Sequence, residues 1–383
     1  MRVLIFTGLT HWGRGGAQRE TEHLLAALVA RGVETGFVVD RPVDLPGVTH
    51  YPTGSHRNPV PALNAAIRAF APDVVHMIGG GAQTIVATDI ACRMTARPWV
   101  MTVHNVPPRE RRGRFLLGDN RRHYAVRNVL SLPSITTWHL LLRATGYKKV
   151  IVHSSYVRDL VLGHGCPAHK IALIPLGAGP APSRPTGDAA VSPFPDGASP
   201  RVVTVGAFSH TKGVHDYLRA MPELVKRYPS IHLVWVGAYR YGAYEQFVDA
   251  EIARLGLSGH VTLAKNASEE VRLAALADAD LYVQPSHEEG FCLTYIEGAQ
   301  AVPKLLGTKT GAMAEISQGD PWASAVAPGD PEALLRETCR LLDMHDDDPT
   351  RHQAERASRL AERFSWDRYA EQHIALFRAL ART

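Results

Sequence analysis

The fold prediction starts from one stretch, PSHEEGFCLTYIEGAQ, which spans residues 285–300. The apolar run before it, residues 279–284, is typical of a short buried strand, and Gly290 marks a turn from this strand into a helix. If the helix begins near Gly290, Glu289 lies at its start and Glu297 lies two turns further in. With a rise of ~1.5 Å per residue, the two carboxylates are then about 12 Å apart along the helix axis.

Such a helix start predicts a binding site. The backbone amides around Phe291, Cys292 and Leu293 would have no partner inside the helix, and together with the helix dipole they suit phosphate or sugar oxygens. One carboxylate could then bind sugar hydroxyls and the other a ribose, because their separation matches the reach across a nucleotide-diphosphate sugar. The alternative for both acids is a surface role matched to the helix dipole, although the small and apolar neighbours of Glu297 fit a solvated face less well.

Composition predicts a globular protein of two domains, since 383 residues suffice for two full cores. Lys and Arg number 42 against 37 Asp and Glu, and this net charge of +5 suits anionic small molecules but is too weak to favour nucleic acid. The four cysteines show no metal spacing, which is typical of reduced thiols. With no signal peptide and no apolar run of ~18 residues, we expect a cytoplasmic protein whose membrane contact, if any, is peripheral.

The order of predicted elements indicates two α/β halves. Residues 2–7 predict a strand, residues 8–16 a glycine-rich loop and residues 17–31 a helix, which is how a nucleotide-binding α/β domain begins. The same order restarts at residue 201, after a segment rich in Pro, Gly, Ala and Ser. We therefore expect an N-terminal domain over residues 1–178, a linker over 179–199 and a second domain over 200–365.

Several motifs together resemble the retaining glycosyltransferases of family 4. Glu289 and Glu297 match the Glu-x7-Glu motif of that family, with Cys292 in place of its usual Gly. Lys212 followed by Gly213 resembles a second motif. The strand ending at His104, the loop at Gly15 and Gly16, and a final helix over residues 366–383 that crosses back onto the first domain also match.

This resemblance implies the GT-B fold, with two Rossmann-like doubly wound domains facing a cleft. It also implies transfer of a hexosyl group from a nucleotide-diphosphate sugar to an acceptor hydroxyl with retention, without a metal or another cofactor. In the family the first Glu contacts the donor sugar and the second the ribose, which assigns these roles to Glu289 and Glu297. The resemblance further suggests that His104 contacts the donor sugar, that Lys212 neutralises the diphosphate, and that Gly15 and Gly16 face the diphosphate and acceptor. For His104, a capping or packing role is the alternative.

The chain departs from the family pattern at important positions. Ala207 stands where the family has the Arg that binds the diphosphate together with the Lys. Arg14, His210 and Arg240 are the candidates to compensate. The loss of that Arg favours a second hypothesis, a paralogue that binds nucleotide sugars without turnover; a GT-B phosphorylase or a sugar-nucleotide epimerase is a third.

Two further features are less specific. Seven arginines and several apolar residues lie within residues 109–127, and a solvated surface is the default interpretation, with an anionic acceptor or acidic lipid headgroups as the alternative. The run Asp346–Asp348 contains a formal Asp-x-Asp but is typical of a solvated turn. Family frequency favours a UDP-sugar over a GDP-sugar, and a small natural product or an envelope glycan as the acceptor.

Overall fold

The structure is a computed structural model that divides into two compact units. The first unit combines Met1–Gly177 with Trp366–Thr383, and the second is Ala178–Ser365, so residues 178–199 group with the second unit. The residues that the structure describes are 1–7, 16–40, 45–53, 58–106, 136–185, 191–238, 242–345 and 347–382.

The strands of the described ranges lie in two parallel sheets, one in each unit. The first sheet has the order β3-β2-β1-β4-β5-β6-β7 and the second the order β10-β9-β8-β11-β12-β13. The strands of the first sheet are β1 (Arg2–Thr7), β2 (Glu34–Val39), β3 (Val48–Pro52), β4 (Val74–Ile78), β5 (Trp99–Thr102), β6 (Lys149–Val152) and β7 (Ile171–Leu173). Those of the second are β8 (Arg201–Val205), β9 (His232–Gly237), β10 (Val261–Lys265), β11 (Leu281–Gln284), β12 (Lys304–Thr308) and β13 (Ala323–Val326).

Helices lie between most of these strands along the chain, as is usual for parallel pairing. In chain order they are α1 (Gly16–Ala30), α2 (Val60–Phe70), α3 (Ala82–Thr95), α4 (Ser155–Gly163), α5 (Val214–Arg227), α6 (Gly242–Arg254), α7 (Glu269–Asp278), α8 (Leu293–Ala301), α9 (Met313–Ser317), α10 (Pro331–Asp343), α11 (Pro349–Arg363) and α12 (Trp366–Ala381). Residues 136–144, between β5 and β6, are also helical. No helix in the described ranges is long and apolar enough to cross a membrane.

The expected doubly wound α/β architecture is confirmed in each unit. In both sheets the first strand of the unit lies inside the sheet and the strand order reverses beside it, which is the Rossmann arrangement. The central strands β4 and β5 are buried along their whole length, as their apolar sequences predict. Loops at the carboxyl ends of β8 and β11, which are neighbours in the second sheet, therefore lie side by side.

Three strands were not predicted from the sequence. β3 is an edge strand that ends at Pro52 and is only partly buried, so its sequence lacks the continuous apolar run of an inner strand. β12, which begins at Lys304, is five residues long, and β13 is four residues long. β7, the other edge of the first sheet, is only three residues long.

Candidate functional site

The site residues of the second unit lie on two adjacent loops. One loop follows β8 and carries Lys212 at the end of a single 3-10 turn, and the other follows β11 and carries Glu289. The loops are joined by a hydrogen bond of 2.8 Å from the His287 backbone N–H to the Thr211 carbonyl oxygen. Carboxyl ends of parallel strands are where open α/β sheets bind ligands, so both predicted residues lie in the expected place.

Gly213 allows the two loops to approach. It has a left-handed φ of +63°, and a Cβ built there would lie 2.0 Å from the Pro285 carbonyl oxygen. Any other residue would both strain the backbone and collide with the neighbouring loop. Glycine is therefore required at position 213 for a structural reason that is independent of the charge on Lys212.

Lys212 and Glu289 form an ion pair, with 2.7 Å between Lys212 Nζ and Glu289 Oε1. The lysine side chain is 21% exposed and the glutamate 11%, so the pair is partly shielded from water but still accessible to a ligand. Such a pair holds a cation in a fixed place beside a carboxylate that can accept hydrogen bonds from hydroxyl groups. It can therefore bind a group that carries both negative charge and hydroxyls.

A buried series of hydrogen bonds orients the carboxylate of this pair. Ser286 Oγ donates to Glu289 Oε1 at 2.8 Å, Gln284 Nε2 donates to Ser286 Oγ at 2.9 Å, and Tyr282 OH donates to Gln284 Oε1 at 2.8 Å. The tyrosine, glutamine and serine are all fully buried. Because each donor is held by its own packing, Glu289 has a defined direction before any ligand binds.

The helix after Glu289 begins later than the sequence analysis expected. Its first residue is Leu293, because Cys292 has a left-handed backbone with φ of 80° and ψ of 72°, which no helical residue has. The amides of Phe291 and Cys292 therefore precede the first helical turn, and only that of Leu293 belongs to it. The helical rise from which the axial separation of about 12 Å was calculated therefore does not apply to the residues between Glu289 and Leu293.

The same geometry explains the unusual residue at position 292. The family has Gly there, and the left-handed φ is one that Gly adopts without strain. Cys292 is buried, and burial together with the Glu289 carboxylate raises the pKa of its thiol to about 12. The thiol is therefore protonated at neutral pH and is a poor nucleophile.

Glu297, the second acid of the predicted motif, lies on α8 and pairs with Arg272 on α7. Arg272 Nη1 is 2.8 Å from Glu297 Oε2, and both side chains are 16% exposed. Arg272 also contacts Glu269 at the start of its own helix. The sequence analysis missed Arg272, and no sequence signal links it to Glu297, because the two residues lie on different helices 25 positions apart.

Ala207 occupies the position of the missing arginine, and Lys212 and His210 lie on the same loop. Ala207 is half-buried. The aliphatic part of the Lys212 side chain lies against Gly206, the residue before Ala207, where a Cβ would be 3.2 Å from Lys212 Cε. The ring of His210 packs against Tyr244, with 4.3 Å between ring centroids. Of the other predicted site residues, Arg14, Gly15, Arg240 and the basic segment 109–127 lie outside the described residues; Gly16 is the exposed first residue of α1.

In the first unit, His104 follows β5 and contacts a buried acid that the sequence analysis missed. His104 Nε2 is 2.6 Å from Glu20 Oε2. His153, which follows β6, places its Nε2 3.0 Å from Glu20 Oε1. Tyr369 OH, from α12, donates to Glu20 Oε1 at 2.8 Å. Glu20 is fully buried and His104 is 29% exposed, so the histidine is the accessible member of the group. We call these four residues the Glu20 cluster.

The pKa shifts in this cluster follow from burial and charge. Burial alone would raise the pKa of Glu20, but His153 and His104 lower it well below its ordinary value of 4.5. Burial alone would lower the pKa of His153, and the Glu20 carboxylate reverses this to a net rise. Two other buried histidines behave in the opposite way, because burial lowers the pKa of His76 well below its ordinary value and that of His373 to about 4. The cluster therefore favours an ionised Glu20 carboxylate beside a protonated His153.

Two groups in the described part of the chain have the residue types of a metal site. They are Glu20 with His104 and His153, and His215 with Asp216 and His287. In the second group His287 Nε2 lies 2.5 Å from Asp216 Oδ2. The closest nitrogen–oxygen distances in both groups are hydrogen-bond lengths, shorter than the roughly 3.3 Å that separates two ligands of one tetrahedral zinc ion. Both groups are therefore hydrogen-bonded networks as they stand.

Comparison with known protein families gives two matches that share the chain between them. Residues 14–180 match the model for Glycosyltransferase Family 4, and residues 191–361 match the model for Glycosyl transferases group 1.

Individual relatives match over shorter stretches. The chain is 30% identical over 182 residues to the D-inositol 3-phosphate glycosyltransferase of Corynebacterium urealyticum, which covers 46% of this chain and 42% of that protein. It is 34% identical over 134 residues to the MMP alpha-(1->4)-mannosyltransferase of Mycolicibacterium hassiacum, covering 34% of this chain and 32% of that protein. The alignments thus span less than half the length of these curated relatives.

Solved structures match over the whole chain. Sucrose-phosphate synthase of Thermosynechococcus elongatus superimposes with a TM-score of 0.74 at 19% identity, covering 99% of each chain. Anabaena HepE, solved in complex with UDP and glucose, gives a TM-score of 0.72 at 17% identity, covering 99% of this chain and all of that one. At these identities the likeness concerns the fold.

Proposed function

Because this chain belongs to glycosyltransferase family 4 and has the GT-B fold, we propose that it transfers a hexosyl group from a nucleotide-diphosphate sugar to an acceptor hydroxyl. The proposed transfer retains the configuration of the anomeric carbon and needs no metal. We favour a UDP-sugar over a GDP-sugar as donor, and a small natural product or an envelope glycan as acceptor.

The observation that carries this proposal is the ion pair between Lys212 and Glu289. Departure of the diphosphate is the step in which negative charge develops, and the Lys212 ammonium lies on the loop where that charge would be stabilised. Glu289 is held by Ser286 and would accept hydrogen bonds from the donor sugar. The dipole of a helix disfavours an ammonium group beside the helix N-terminus; the carboxylate of Glu289 compensates this charge, and an anionic ligand would compensate it further.

The other site residues take supporting roles in this proposal. Glu297 would bind the ribose hydroxyls, with its carboxylate oriented by the ion pair to Arg272. His104 would contact the donor sugar, and the leaving phosphate would take the proton of the acceptor hydroxyl. The last step needs no separate catalytic base.

A second function, nucleotide-sugar binding without turnover, is favoured by Ala207. Its methyl group cannot supply the second cation that a departing diphosphate would need. Under this hypothesis Lys212 and Glu289 bind the donor, and the donor stays intact.

Nucleotide release distinguishes the two functions. The protein is incubated with UDP-glucose, UDP-N-acetylglucosamine and GDP-mannose, with and without mixed acceptors, and free UDP or GDP is measured. We expect release and a glycosylated product with one donor. Binding without release would support the paralogue, and absence of binding to every nucleotide sugar would refute both functions.

Two variants test the residues. Lys212→Met removes one charge-assisted contact to the diphosphate and should weaken nucleoside-diphosphate binding about 10- to 100-fold, and Glu289→Gln should abolish release while this binding persists. Lys226→Met is the matched control, because Lys226 lies on α5 in the same unit with its side chain 71% exposed. If Lys212→Met binds as tightly as the control, the proposed role of Lys212 is wrong.

A further inference from the structure

Glu20 is a fully buried carboxylate that the proposed chemistry does not yet use. It lies on α1 among the residues that face the core, four and eight positions before Leu24 and Leu28. A carboxylate in this position is retained only if its charge is compensated and its oxygens are hydrogen-bonded. The cluster supplies this through His104, His153 and Tyr369, which come from three different elements.

The hydrogen-bond directions restrict where protons lie. His153 Nδ1 is 2.8 Å from the Ile174 carbonyl oxygen, so Nδ1 carries a proton and donates it. His153 Nε2 then faces Glu20 Oε1 at 3.0 Å, and an unprotonated nitrogen there would place two acceptors against each other. A proton on His153 Nε2 removes this repulsion. The other oxygen of the Glu20 carboxylate, Oε2, is then left to accept a hydrogen bond from His104.

The ring of His104 is held on two sides. Its Nε2 bonds to Glu20, and Gly79 lies against its opposite edge, where a Cβ would be 3.2 Å from both Nδ1 and Cε1. Gly79 has a left-handed φ of +65° and leaves room for the ring because it has no side chain. The ring orientation therefore depends on one strong hydrogen bond and one close packing contact.

We propose that Glu20 is the positioning residue for His104: its carboxylate holds Nε2 as a donor, so that Nδ1 is the atom that meets a hydroxyl of the donor sugar. This inference rests on the proposed function for the role of His104. Glu20 touches no substrate and acts only through the histidine. Around Glu20 the other titratable groups are His153 after β6, His76 on β4, and Tyr369 and His373 on α12.

Imidazole NMR tests the contact without any substrate. In 15N spectra of the wild-type protein, His104 should have a protonated Nε2. Glu20→Gln should change the His104 and His153 signals and leave unchanged the signal of His260, which belongs to the second unit. A His104 ring with its proton on Nδ1 alone would overturn the proposal, because Nε2 could not then donate to the carboxylate. This measurement remains decisive even if Glu20→Gln does not fold.

Kinetics test the consequence. Glu20→Gln should lower kcat on the order of 10- to 100-fold through misplacement of the ring, with little change in the affinity for the nucleoside diphosphate. The double variant Glu20→Gln with His104→Ala should be no slower than His104→Ala alone, since Glu20 acts through that ring. Glu22→Gln is the control, because Glu22 is on the same helix and contacts Gln18.

The outcomes separate this inference from the proposed function. If the wild type releases no nucleotide from any donor, the proposed function fails, while the NMR result still decides whether Glu20 holds His104. If the wild type is active and Glu20→Gln has its full kcat, or the effects of the two substitutions multiply, the positioning role is refuted.

Discussion

Replacement of Gly213 by Ala tests whether the close approach of two loops builds the candidate site. The added Cβ would be strained by the φ of +63° and would lie 2.0 Å from the Pro285 carbonyl oxygen. The left-handed backbone costs roughly 1–2 kcal/mol for a residue with a Cβ. Relief of the collision requires the loops to separate, and overpacking of this kind costs about 1–3 kcal/mol more. We therefore expect Gly213→Ala to lower the free energy of unfolding by about 2–5 kcal/mol.

Gly256→Ala provides a matched control in the same unit. Gly256 has a similar φ of +69°, but no atom lies within 4 Å of the position that a Cβ would occupy there. It should therefore show only the backbone term of roughly 1–2 kcal/mol. Both variants also restrict the unfolded chain equally, so that this effect cancels in the comparison.

Urea denaturation followed by circular dichroism gives the two free energies, and calorimetry gives the affinity for the nucleoside diphosphate that the wild type binds. Because Gly213 follows Lys212 directly, we expect loop separation to stretch the Lys212–Glu289 pair and weaken binding in Gly213→Ala only. Equal destabilisation by both substitutions, within about 0.5 kcal/mol, would refute the close-approach reasoning. Unchanged affinity in a destabilised Gly213→Ala would show that the site does not depend on this contact.

Three further predictions follow from buried charges. In the second unit Arg356 Nε lies 2.5 Å from Asp320 Oδ2, and both side chains are buried. Arg356→Met should therefore destabilise the protein by about 3–5 kcal/mol in urea denaturation, because Asp320 would lose its buried partner; a loss below about 1 kcal/mol would contradict this. Arg272→Met should weaken nucleoside-diphosphate binding about tenfold and leave inorganic diphosphate binding unchanged, since only the orientation of Glu297 is lost; calorimetry that shows equal effects on both ligands would be contrary evidence. The folded pKa of Glu20 is lowered from 4.5 and that of His153 is raised from 6.5, so their stabilisation should be complete between these values. This stabilisation should decline as the pH falls below 4.5 through the folded pKa of Glu20, and as the pH rises above 6.5 through the folded pKa of His153. Thermal melts of Glu20→Gln across this range should show a Tm that depends less on pH than that of the wild type.

The sequence allowed the parallel α/β units to be predicted because apolar runs and helical spacings alternate regularly. It also indicated where ligands bind, since His104, Lys212 and Glu289 all come directly after predicted strands. Parallel strands present their carboxyl ends at one edge of a sheet, so the order of elements alone brings Lys212 and Glu289 onto adjacent loops.

The rest of the site depends on contacts that local patterns do not encode. Glu20 meets His104 across 84 positions of the chain and Tyr369 across 349 positions. The spacing of Glu20 from Leu24 and Leu28 indicates a buried helix face, but that spacing does not indicate which residues the carboxylate contacts. The helix start at Leu293 was also missed, because nothing in the residue type of Cys292 predicts a left-handed backbone.

The return of α12 to the first unit has a consequence for biosynthesis. Tyr369 completes the hydrogen bonds of Glu20, and Trp366 stacks on His23 with 4.1 Å between ring centroids, so the first unit contains residues that are translated after the entire second unit. While the ribosome is still adding residues 178–365, the nascent first unit lacks Tyr369, so the buried carboxylate of Glu20 is without one of its hydrogen-bond donors. The first unit can therefore complete its interior only after every residue of the second unit has been translated.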